Sequence, residues 1–195
     1  MHFVYPYGST PLDLNEIEEL IPIHISTQAE LNRWEQANIL EVEEWLNKHK
    51  FNNKDILEFD FIKEMHFKMF NKTWKWAGKF RKTNKNIGSD WPLIAIHLKQ
   101  LLDDVHYQLS HKTYIVDEIA ARFHHRLVSI HLFPNGNGRH SRLMTDLLLR
   151  AENVERFSWG QNSLNEIVLS RRNYIEALRK ADQHHYQLLL DFVRQ

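Results

Sequence analysis

A chain of 195 residues is the size of one domain that buries well over half of its unfolded surface, and 43% apolar with 12% aromatic residues excludes a disordered tail. Lys plus Arg equals Asp plus Glu at 25 each, so no basic excess points to nucleic acid or to an anionic membrane, and any anion site must be local. The absence of cysteine excludes disulfides and thiol chemistry; with no leader-like start and no run near the ~18 apolar residues of a membrane span, this fits a protein of the cytoplasm.

Residues 1–25 hold three of the five prolines and little periodicity, and read as an arm lying on a domain formed by 26–195. Thr27 and Glu30 make a capping box, and the stripe Leu31, Trp34, Val42, Trp45 carries a helix to residue 47 or 48. After a polar break at 50–54, Ile56, Phe59, Ile62, Phe67 and Phe70 predict a helix over 55–70, with Trp74 and Trp76 as core rings. Residues 79–91 lose the helical period and read as a two-stranded flap or a polar loop. Pro92 starts a helix to about 110, and residues 115–130 place Ile119, Ala120, Phe123, Leu127 and Ile130 on one face of the next. A further helix carries Leu143, Leu147 and Leu148, Ser163 with Glu166 suggests a capping box, and two closing helices end near 180 and 193. The fold class is all-α, a helical bundle with one short β-hairpin.

Between the two central helices stands His131-Leu132-Phe133-Pro134-Asn135-Gly136-Asn137-Gly138-Arg139, continued by His140-Ser141-Arg142. Gly136 and Gly138 let backbone N–H groups curl around a charged ligand, and the helix that follows aims its unpaired N–H groups and positive dipole end the same way. Arg139 and Arg142, three apart, project from one side of the first turn and suit a polyphosphate. His131, with an ordinary pKa near neutrality, suits taking a proton from an attacking hydroxyl. A lone histidine or a lone Gly-Asn-Gly is more often a cap or a turn, but twelve residues hold the whole set.

The segment resembles the signature of the Fic family, His-Pro-Phe-x-(Asp/Glu)-Gly-Asn-Gly-Arg-x-x-Arg. His131, Phe133, Gly136, Asn137, Gly138, Arg139 and Arg142 match, while Leu132 replaces the usual proline and Asn135 the usual acid. Trp76-Ala77-Gly78-Lys79-Phe80-Arg81 and Tyr174-Ile175-Glu176-Ala177-Leu178 extend the likeness, and the flanking text is similar to a bacterial subgroup called mobile mystery protein B. The resemblance implies a single Fic (Fido) domain over 26–195 that transfers AMP from ATP to a Ser, Thr or Tyr hydroxyl of a target protein. His131 would be the base, and Asn137 with the loop N–H groups would hold the α-phosphate. Arg139 and Arg142 would hold the β- and γ-phosphates, and Phe133 would anchor the loop. The flap residues Asn86, Ile87, Gly88 and Ser89 would dock the target as an added strand. Asn135 stands where the family holds Mg²⁺, and its neutral carbonyl predicts weaker metal binding. Family members are often restrained by a glutamate that pairs with the second arginine; Glu30 and Glu35 are candidates, and a separate antitoxin-like partner protein is the other source of restraint.

Three rivals stand beside this reading. Thirteen histidines invite a metal hydrolase with His124, His125, His131 and His140 as ligands, although the spacing is poor. A Fic fold that binds nucleotide or protein without catalysis is the second. The third transfers phosphate or phosphocholine instead of AMP.

Overall fold

A computed structural model describes residues 10–160 and 167–195. The helices are α1 (Leu14–Ile17), α2 (Gln28–Asn47), α3 (Asn53–Ile56), α4 (Phe59–Phe70), α5 (Ile94–His111), α6 (Val116–Ile130), α7 (Asn137–Ala151), α8 (Ile167–Ala181) and α9 (Gln187–Arg194), with a 3₁₀ turn at Trp91–Leu93 before α5. Local chemistry starts them where the sequence says. The Thr27 hydroxyl accepts from the Glu30 N–H at 3.2 Å while the Glu30 carboxylate accepts from the Thr27 N–H at 2.9 Å, which fixes the first turn of α2. The Ser163 and Glu166 pair lies outside the described residues.

Two expectations need correction, and the arm gains a detail. The helix over 55–70 is two helices: Asn52 and Asp55 form a capping box that starts α3 at Asn53, and the backbone leaves the helical region at Leu57 and becomes extended at Glu58 (φ −79°, ψ 138°) before α4 begins. The arm contains the one-turn α1, and Leu12 and Ile25 on either side of it are buried in the core. The hairpin over 79–91 does not form: among the described residues the only β pairing is an isolated bridge between Leu20 and Trp74. The segment's backbone bonds leave it instead, from the Arg81 N–H to the Leu132 carbonyl at 3.0 Å and from the Ser89 N–H to the Ile130 carbonyl at 3.2 Å. N–H groups spent on the neighbouring loop are not available to a cross-strand ladder.

Helices α6 and α7 divide the interior in two. Ile119, Phe123, Leu127 and Ile130 of α6, with Met144, Leu147 and Leu148 of α7, join a large cluster built with α2, α4 and α5. Ala120 and Ala121 of α6 and Leu149 of α7 face a second cluster holding Trp159, Tyr174, Ala177, Leu189 and Phe192. The residues 131–136 between α6 and α7 therefore sit at the seam of both. Trp74 and Trp76 stack at 4.9 Å in the core as read from the sequence. Among the described residues no helix is long and apolar enough to cross a membrane.

Candidate active site

His131 ends α6 in the left-handed conformation (φ 57°, ψ 65°), a setting that costs a non-glycine residue ~1 kcal/mol or more. Arg81 holds it there. Its Nε donates to the His131 carbonyl at 2.6 Å, its Nη1 to the Thr83 carbonyl at 2.7 Å, and its Nη2 to the Ser89 carbonyl. The imidazole is 6% exposed, and neither ring nitrogen has a hydrogen-bond partner. Burial, then the Arg81 charge, push its pKa down to about 4, and the Lys85 charge adds to this. A neutral ring with both nitrogens uncommitted at pH 7 can accept a proton.

The loop beyond is stapled from within. Phe133 is fully buried and stacks on His66 at 3.7 Å. Asn137 spends its side chain on the Phe133 backbone, the Oδ1 accepting from N–H at 2.9 Å and the Nδ2 donating to the carbonyl at 2.8 Å. What Asn137 offers a ligand is thus its backbone N–H. Gly136 (φ 77°) packs on Phe70, whose ring atoms would lie 2.6 Å from any added Cβ. The first bond of α7 runs from the His140 N–H to the Gly136 carbonyl at 2.9 Å, which leaves the N–H groups of Asn137, Gly138 and Arg139 without intrahelical partners. At Gly138 a Cβ would meet nothing within 4 Å.

Asn135 is oriented by two bonds. Its Oδ1 accepts from the Gly136 N–H at 2.7 Å, and its carbonyl accepts from His66 Nε2 at 3.0 Å. The Gly78 N–H donates to His66 Nδ1 at 3.0 Å, so His66 is neutral with its proton on Nε2, in line with the strong downward push that burial gives its pKa.

The two arginines differ. The Arg139 Nη1 pairs with Glu35 Oε2 at 2.7 Å, and the other Glu35 oxygen accepts from Trp74 Nε1 at 2.7 Å, with the Glu35 residue only 3% exposed. Arg142 lies over the rings of Tyr174 (4.7 Å) and Trp159 (5.5 Å), and its Nε is buried without a hydrogen bond. The sequence reading has a restraining glutamate on the second arginine; Glu35 takes the first. Glu30 serves its cap, holding the N–H groups of Ser26 and Thr27, and these bonds lower its pKa to about 2.

One cavity of about 1200 Å³ unites His131, Asn135, Gly136, Asn137, Gly138, Arg139 and Arg142 with Glu35, with Asn86, Ile87 and Gly88 of the flap segment, and with Arg171 and Tyr174 of α8. That volume exceeds the ~300–1,000 Å³ usual for a small-molecule site. Ser89 is turned elsewhere, its hydroxyl bonded to His97 Nδ1 at 2.7 Å. The four histidines of the metal-hydrolase reading do not converge: His124 bonds Tyr174, His125 bonds Asp182, His140 bonds the Ile62 carbonyl, and His131 bonds nothing. Sequence reasoning missed His66, Arg81, Trp159 and Arg171 as site neighbours. Arg81 alone carried a signal, as the end of the Trp-Ala-Gly-x-x-Arg run.

Comparison with known proteins agrees with this geometry. Residues 56–149 match the model of the Fic/DOC family. The chain is 36% identical over 97 residues to protein adenylyltransferase fic-1 of Caenorhabditis briggsae and 34% over 99 residues to that of Caenorhabditis elegans, about half of this chain in each case. Those stretches are 19% and 20% of the relatives' own length. Among solved structures, BepC, a VirB-translocated effector of Bartonella tribocorum with bound AMPPNP, is similar over 98% of this chain and 94% of its own (TM-score 0.68, 20% identity). Fic-1 of C. elegans is similar over 84% of this chain and 44% of its own (TM-score 0.57, 23% identity). The fold is thus shared well beyond residues 56–149, the stretch that matches the Fic/DOC family.

Proposed function

We propose that the chain is a protein adenylyltransferase. A Ser, Thr or Tyr hydroxyl of a target protein attacks the α-phosphorus of ATP, the α–β bridging P–O bond breaks, pyrophosphate leaves, and His131 takes the hydroxyl proton. The observation that carries this is the pairing of a buried neutral imidazole, free at both nitrogens, with a helix start and two guanidinium groups on one cavity. The N–H groups of Asn137, Gly138 and Arg139 suit the α-phosphate, and Arg139 and Arg142 suit the leaving pyrophosphate. The flap residues Asn86, Ile87 and Gly88 line the same cavity and offer the approaching target a surface. The relatives named protein adenylyltransferase and the neighbour holding AMPPNP support the donor and the reaction class.

Glu35 gives the reading a restrained form. While its carboxylate holds Arg139, a triphosphate must compete for that guanidinium, so the resting protein is self-inhibited. The same contact favours a second reading, a nucleotide-binding module that transfers nothing.

Incubation with α-labelled and γ-labelled ATP and a cell lysate separates these. Label from the α position alone on protein is expected, with Glu35→Gly raising its rate and His131→Ala lowering it roughly 10²–10⁴-fold at unchanged ATP affinity. Label from the γ position would indicate phosphoryl transfer. No label with Glu35→Gly leaves the binding module.

A further inference from the structure

The family pattern implies a divalent cation at the position of Asn135, and the donor set here does not fit one. Mg²⁺ takes oxygen lone pairs, commonly from one or two carboxylates plus substrate phosphates. Both Asn135 oxygens already accept a hydrogen bond, the side-chain one from the Gly136 N–H and the carbonyl one from His66. The amide orientation is not free to flip, because a backbone N–H can only donate and the atom facing it must be oxygen. The Nδ2, with two N–H groups, is what Asn135 turns elsewhere, and the residue lines the cavity. The acids on that lining are Glu35 and Asp182, and each has a partner, Arg139 with Trp74 for one and His125 for the other. Among the described residues no group of three or more His, Asp or Glu side chains could hold a metal ion. Around Asn135 the cavity presents donors and positive charge: the first N–H groups of α7, Arg139 and Arg142.

Resting on the nucleotide reading above, we propose that this site takes a nucleoside polyphosphate as the free anion, without a divalent cation, and that the Asn135 carboxamide donates an N–H to a phosphate oxygen where a cation would otherwise bridge. A carboxylate at this position needs a cation between itself and the phosphate; a carboxamide makes the contact directly. The substitution of acid by amide changes the ionic form of the ligand that is bound.

The test is calorimetric titration of the whole chain with ATP, once in EDTA and once in excess Mg²⁺. The wild-type protein is expected to bind in EDTA as tightly as in Mg²⁺ or more tightly. Asn135→Asp keeps an oxygen for the Gly136 N–H, so its melting temperature serves as the control for folding. It is expected to bind at least about tenfold more weakly in EDTA than in Mg²⁺, since like charges then meet at close range. Wild-type binding that weakens in EDTA overturns the inference and leaves the nucleotide reading intact. Absence of binding in both buffers overturns both, and equal binding by Asn135→Asp in both overturns the role given to the Asn135 amide.

Discussion

The loop of residues 131–139 and the flap segment of 81–90 are both polar, glycine-bearing and set against the same cavity, yet they are held in different ways. The loop is closed by neighbours in sequence: Asn137 reaches back four residues to Phe133, and Asn135 bonds the next N–H. The flap segment is held from a distance. Arg81 ties it to residues 130 and 131, while Lys85, its side chain 3% exposed, pairs with Asp13 at 2.8 Å and Glu16 at 2.6 Å from the arm. A loop of the first kind is fixed once its helices form. The second kind is fixed only when the arm and α6 have both docked.

Acid should separate the two regions most strongly. His131 and His140 have folded pKa values pushed down to about 4 by burial, and His66 is pushed well below its ordinary value. The unfolded chain, titrating near 6.5, then binds more protons at lower pH, so these histidines remove stability as pH falls from about 6.5 towards 4. At 1.36 kcal/mol per unit, His131 and His140 each cost on the order of 3 kcal/mol by pH 4. Asp146 runs the other way: burial raises its pKa to about 6, so acid adds back part of the loss between about 6 and 3.8. The flap anchor at Asp13 is lowered by Lys85, and its contribution persists until pH falls beneath the usual carboxylate range. Hydrogen exchange across pH 7 to 4 should show residues 131–140 losing protection while 83–90 keep theirs; simultaneous loss would break the distinction.

Arg81→Leu should couple the regions again by releasing both. It leaves the carbonyls of His131, Thr83 and Ser89 without their donor, at ~1–3 kcal/mol for each that stays buried. Urea denaturation should show a loss of at least about 3 kcal/mol. Recovery by Arg81→Lys should be partial, since one ammonium cannot reproduce the fork. Smaller and more local effects are expected from the two specific staples. Asn137→Ala removes two hydrogen bonds, about 2 kcal/mol, and should raise exchange at Phe133 while leaving the flap quiet. Lys85→Met should do the reverse, for about 1–3 kcal/mol, because Asp13 is half exposed and rehydrates when its partner goes, whereas Glu16, mostly buried, is left with the Asp13 N–H alone.

The same contrast governs what the sequence could tell. Periodicity and caps gave α2, α5 and α6 to within a few residues, because those signals are carried by positions three and four apart. The start of α3 was written in Asn52 and Asp55, whereas the break before α4 at Leu57 and Glu58 is masked by an apolar period that runs through it. The motif was legible as a candidate site since its residues are contiguous, and they line one cavity. The flap was misread as a hairpin because its partners lie some fifty residues away, and no local pattern encodes them. Glu35 was visible as a candidate, whereas its choice of Arg139 over Arg142 depends on where α2 lies against α7 and on Trp74 binding its other oxygen.

The empty space beside Gly138 has an evolutionary consequence. Alanine there meets no atom and improves helix propensity, so on stability alone the substitution is favoured by ~0.5–1 kcal/mol. The added methyl group would occupy open space on the cavity lining beside the unpaired amides of the first turn. A variant selected only for thermal robustness would therefore drift toward a better folded protein with less open space at that helix start, so folding alone does not account for glycine at this spot.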